Sequence, residues 1–229
     1  MTNPLAHLRR TPLRRTLEAA GARWHSLPDI AIAADVGTGS GADRLVIADL
    51  TPLPRLGFKG RGTIDAMKKR GVTVEATPNC AFPQSDGGLC LVLSPGEVIL
   101  LSNLAGEGAG LDQMLASWNI EDEERTYPLL RRDSHAWFAV AGPDAPALFA
   151  KICAIDMRPE KFRSLAIAQT SVAKMSAIIV RADIGSRLCY HVLADSAAAL
   201  YFCSCLLDAS HEFRGRLVGL DAVQGMGGA

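Results

Sequence analysis

Residues 55–63, RLGFKGRGT, set three glycines among two arginines, a lysine and a phenylalanine, directly ahead of the helix-like IDAMKKRG. Glycines that let backbone N–H groups reach an anion, beside a lysine at a helix N-terminus, are the ingredients of a phosphate loop. The spacing fits neither G-x-x-x-x-G-K-[ST] nor G-x-G-x-x-G. A sharp turn from a strand into a helix is the better reading. A second glycine run, Gly37, Gly39 and Gly41 in DIAIAADVGTGSGADRLVIADL, suggests a dinucleotide fingerprint. Only a few residues separate the strand-like runs on either side of it, whereas a parallel crossover needs about a dozen or more. It reads as a loop between strands.

Other reactive residue types lead no further. RRDSHAWF places Asp133, Ser134 and His135 in a row. If that segment is a strand, as WFAVAG suggests, Ser134 faces away from Asp133 and His135, and no hydrolytic triad assembles locally. Tyr190 and His191 lie in an apolar strand, where a hydrogen-bonded core histidine is expected. Glu121 to Arg125, EDEER, reads as a solvated loop, because acid/base carboxylates need an enclosed site to separate their pKa values. The six cysteines (Cys80, Cys90, Cys153, Cys189, Cys203, Cys205) show no metal-site spacing in a chain too long to need staples. Reduced thiols in a cytoplasm follow. Cys203 and Cys205, two apart on a helix, face different ways. No catalytic, cofactor-binding or metal-ligating residue is therefore expected in this chain.

The chain has 229 residues, 48% hydrophobic and 21% charged, enough to bury a large core. Basic and acidic residues balance at 24 each, without the electrostatic footprint of a nucleic-acid binder. No apolar run has the roughly 18 to 20 residues that span a bilayer. The N-terminal HLRRTPLRRTLEAAGARW has the arginine-rich composition of a transit peptide but no apolar signal stretch. A basic arm lying on the protein's own surface or on an acidic partner is preferred.

The elements that must position these residues repeat. LGFKGRGTIDAMKKRG from Leu56 and FAVAGPDAPALFAKIC from Phe138 each give a short apolar strand, a glycine (Gly60; Gly142), a small polar turn and an apolar-faced helix. Further strands follow each helix: GLCLVLSPGEVILLS in one half, SVAKMSAIIVRAD and RLCYHVLAD in the other. Each half ends in a helix-like stretch, AGLDQMLASW and SAAALYFCSCLLDA. The expected class is α+β, with duplicated β-α-β-α units sharing one core in a single domain. Residues 1–40 form an N-terminal arm and first strand, 41–125 a first pseudo-repeat and 126–229 a second. In the second corner Gly142 makes the turn, Pro143 presets a dihedral and Asp144 caps the helix. That copy has no basic residue, so Gly57, Gly60 and Gly62 in the first are assigned to backbone geometry. Lys59, Arg61, Lys68, Lys69 and Arg70 then form a solvated or partner-facing surface.

ADLTPLPRLGFKG, FAVAGPDAPALFAKICAIDMRPEKF, AIAQTSVAKMSAIIVRAD and HEFRGRLVGLDAV together resemble the gamma subunit of bacterial heterotetrameric sarcosine oxidase. The resemblance runs from about residue 45 to the C-terminus, and AIDMRPEKF and AQTSVAKMSAIIVR are its most specific parts. It implies the folate-binding, aminomethyltransferase-like fold of the glycine-cleavage T-protein. Relatives carry D-G-G-I-x-D-D, with a carboxylate beside folate; the matching residues here are Asp86, Gly87, Gly88, Leu89, Cys90, Leu91 and Val92. A second folate-contacting stretch, R-T-G-Y-T-G-E-D-G-Y-E-I, matches Arg181 to Val192 and sets Arg187 where the relatives have glutamate. A guanidinium has no acceptor for a ring N–H.

The resemblance thus implies a non-catalytic, cytoplasmic gamma subunit. The complex demethylates sarcosine to glycine and passes the one-carbon unit to tetrahydrofolate. FAD, FMN, NAD and tetrahydrofolate are expected in the alpha and beta partner subunits, with delta reached through the complex. No nucleic-acid or membrane partner is expected. The alternatives are a free-standing aminomethyltransferase-like folate binder and an assembly subunit for a demethylase of another N-methyl amine. Arg9, Arg10, Arg14, Arg15, Lys68, Lys69 and Arg70 are the expected charged rim of a subunit contact.

Overall fold

The computed structural model describes residues 3–37, 44–119 and 125–228. Gly39, Gly41 and Glu121 to Glu124 lie outside the described residues. Along the chain run α1 (Arg14–Ala19), β1 (Ala22–Ser26), β2 (Ala31–Val36), β3 (Val46–Asp49), β4 (Arg55–Gly60), α2 (Thr63–Lys69), β5 (Cys80–Pro83), β6 (Leu89–Ser94) and β7 (Glu97–Leu101). Then come α3 (Ala109–Ala116), β8 (Thr126–Leu129), β9 (His135–Ala141), α4 (Ala145–Ile152), β10 (Ile167–Val172), β11 (Met175–Arg181), β12 (Cys189–Asp195), α5 (Ala199–Ser210), β13 (Arg216–Val218) and α6 (Leu220–Gln224). The class is mixed α+β.

These elements gather into two compact units, one of Met1–Pro52, His135–Ser164 and Ala168–Ala229, the other of Leu53–Ser134 and Leu165–Ile167. The first holds a six-stranded sheet in the order β10-β11-β12-β9-β3-β13 and the separate hairpin β1-β2. Its central strands read HAWFAVA and CYHVLAD, near-continuous apolar runs of a sheet covered on both faces. α5 packs against β12 and β13, and α6 against β2 and β3. The interior is aromatic: Phe138 meets Phe202 at 5.5 Å, and Phe149 meets Tyr190 edge-on at 5.2 Å between ring centroids.

The arginine-rich N-terminus is folded into this unit. Leu13 and Leu17 are buried, and Thr11 donates to the buried Asp49 carboxylate. Arg9 pairs with Asp29 at 2.6 Å and Arg14 with Glu18 at 2.7 Å. These two guanidiniums are engaged within the chain and supply less of a partner-facing rim than their sequence position suggests.

The second unit holds a five-stranded sheet in the order β5-β6-β7-β4-β8, covered by α2 and α3. Period-two alternation puts Leu56 and Phe58, Cys90 and Val92, and Val98 and Leu100 on one face, packed with Ile64 and Met67 of α2. Phe58 meets Trp118 at 4.5 Å between ring centroids, the rings tilted by 39°.

The two glycine corners that the sequence pairs, β4 into α2 and β9 into α4, have similar backbone geometry. Gly60 ends β4 at φ +154°, donates its N–H to the Gly96 carbonyl at 2.9 Å, and leaves no room for a Cβ, which would sit 2.0 Å from the Arg125 carbonyl oxygen. Gly142 follows β9 at φ +124°, donates to Leu188 at 2.9 Å, and would place a Cβ 2.1 Å from the Arg44 carbonyl oxygen. The opening glycine-rich stretch is therefore strand β4 up to Gly60, followed by a turn at Arg61 and Gly62 into α2. Gly62, at φ −95°, caps α2 in a conformation open to any residue.

Two local expectations change. Asp144 stands at the N-cap of α4 but makes no side-chain cap. Its carboxylate takes both prongs of Arg44, at 2.7 and 2.6 Å, because a bidentate charged pair outcompetes one backbone amide. The basic cluster after Gly60 is largely engaged: Lys59 pairs with Glu97 at 2.8 Å, Lys68 with Glu75 at 3.0 Å, and the Arg70 guanidinium lies 4.0 Å from the Trp118 ring centroid.

Candidate functional site

The stretch matching the folate carboxylate segment begins in a tight turn. Gly87 takes φ +84°, Gly88 N–H donates to Asp86 Oδ1 at 2.8 Å, and Asn103 Nδ2 donates to the Asp86 carbonyl at 2.8 Å. From Leu89 the chain becomes β6, and Leu91 and Val92 are wholly buried. An ionised carboxylate at Leu91 would need a buried partner; the position is filled as core. A small cavity of about 270 Å3 beside this turn is lined by Arg70, Gln84, Asp86, Glu107, Leu100 and Met114 among others. Its polar groups are largely spent on the protein itself: Gln84 bonds both backbone groups of Thr73, and Glu107 accepts from Asn103.

The second matching stretch is equally committed to structure. Arg181 grips Asp183 with two nitrogens, at 3.1 and 2.7 Å, and donates Nη1 to the carbonyls of Pro159 and Phe162 at 3.1 and 2.9 Å. Arg187 closes a tight turn with Ile184, with Gly185 at φ +58°. Tyr190 donates its hydroxyl to the Met157 carbonyl. These residues do not fit folate: Leu91 is sealed in the core, and Arg187 offers no acceptor.

His191, on β12, is the core histidine the sequence suggested. Trp137 Nε1 donates to its Nδ1 at 3.1 Å, which places the imidazole proton on Nε2. Burial pulls its pKa from 6.5 to about 4. The neutral ring is thus the folded form. Stability owed to it is complete above about pH 6.5 and is lost as pH falls toward 4, by up to roughly 3 kcal/mol. Urea midpoints at pH 7.5 and 4.5 should show this loss in the native chain and a smaller one in His191→Gln. Identical pH slopes would contradict it.

The Asp133, Ser134 and His135 run differs from expectation. β9 begins at His135, so Asp133 and Ser134 lie in the preceding turn, where Ser134 Oγ donates to Arg131 at 3.5 Å. Strand alternation does not apply to them, because pairing with Asp195 starts only at His135. Of the cysteines, burial pushes the thiols of Cys90 and Cys203 up to about 12 and that of Cys189 upward as well, away from thiolate chemistry.

A second concavity, of about 590 Å3, lies in the first unit beside α4 and the following segment Cys153 to Pro159. The sequence marks α4 as apolar-faced but assigns no role to Ala147 and Ala150, which are exposed.

With this geometry in place, comparison with solved structures defines the class: an aminomethyltransferase-like α+β fold. The glycine cleavage system aminomethyltransferase T from Bartonella henselae is similar with a TM-score of 0.73 at 14% identity, over 96% of this chain and 62% of that one. The chain therefore spans less than two thirds of that protein's length. A chain of heterotetrameric sarcosine oxidase from Corynebacterium sp. U-96, in complex with pyrrole 2-carboxylate, is similar with a TM-score of 0.67 at 20% identity, over 90% of this chain and 97% of that one. No protein-family model and no curated protein matches the sequence.

Proposed function

We propose that this chain is the non-catalytic gamma subunit of a heterotetrameric sarcosine oxidase. The observation that carries the reading is coverage: the chain spans 97% of the sarcosine oxidase chain it resembles but only 62% of the aminomethyltransferase. The buried Leu91 and the guanidinium at Arg187 support it against a free-standing folate binder. On this reading FAD, FMN, NAD and tetrahydrofolate belong to the alpha and beta subunits, delta joins through the complex, and assembly takes place in the cytoplasm. The matched corners at Gly60 and Gly142 support a further part of the proposal, that residues 41–125 and 126–229 descend from one duplicated unit in a single domain. Titration of the purified chain with tetrahydrofolate tests the rival. The expected result is no saturable binding in the micromolar range, and a saturable isotherm would restore the folate-binding reading.

A further inference from the structure

We draw no further inference here: the strongest candidate, the apolar groove beside α4 lined by the exposed Ala147 and Ala150, carries none because nothing in the structure shows what covers it.

Discussion

Gly142→Ala is expected to cost at least about 4 kcal/mol, enough to leave a domain of ordinary stability marginal or unfolded. The added methyl would stand 2.1 Å from the Arg44 carbonyl oxygen, at φ +124°. That neighbour is backbone, and Arg44 leads into β3, which pairs with β9 residue by residue from Val46 opposite Ala141. Neither side can yield without breaking the ladder. Gly60→Ala should behave alike, with its methyl 2.0 Å from the Arg125 carbonyl oxygen. Two contrasts isolate the cause. Gly71, at φ +79° with nothing within 4 Å, should lose only about 1 kcal/mol as alanine. Lys59→Ala removes a 63%-exposed partner of Glu97 and should cost no more than about 1 kcal/mol. Urea unfolding ranks the four, and equal damage from Lys59→Ala and Gly60→Ala would contradict a geometric role for the corner.

Arg181→Met carries the second large effect. The guanidinium, 13% exposed, satisfies Asp183 and two carbonyls from Pro159 and Phe162. Its loss leaves a largely buried carboxylate without its cation, at about 3 to 5 kcal/mol. Arg181→Lys keeps the charge but not the fork and should fall between. Adding Asp183→Leu to Arg181→Met removes the stranded charge and should recover part of the loss. If the double variant is less stable than Arg181→Met alone, the pairing is not the source of the effect.

These two sites also show what the sequence could and could not reveal. The corners were legible because a strand, a glycine and an apolar-faced helix are local patterns, and the two stretches compare directly. His191 was legible as a core residue because its neighbours Tyr190, Val192 and Leu193 are apolar. Partners distant along the chain were not legible. Asp144 reads as a cap from its position, yet it binds Arg44, 100 residues earlier. Arg70 reads as a surface charge until Trp118 folds beneath it. The apolar WFAVAG suggested a strand reaching back over Asp133 and Ser134, whereas β9 begins at His135, where pairing with Asp195 across the sheet sets the boundary. The concavity beside α4 was not legible, because alanine and proline on a helix carry no chemistry of their own.

Oxygen uptake with sarcosine, measured on the complex purified from cells expressing all its subunits with and without this chain, tests the central claim most directly. The account predicts no uptake by the chain alone, co-purification with the flavin-bearing subunits, and turnover that falls when the chain is omitted. Robust sarcosine oxidation by the chain alone, or full turnover by a complex assembled without it, would contradict the account.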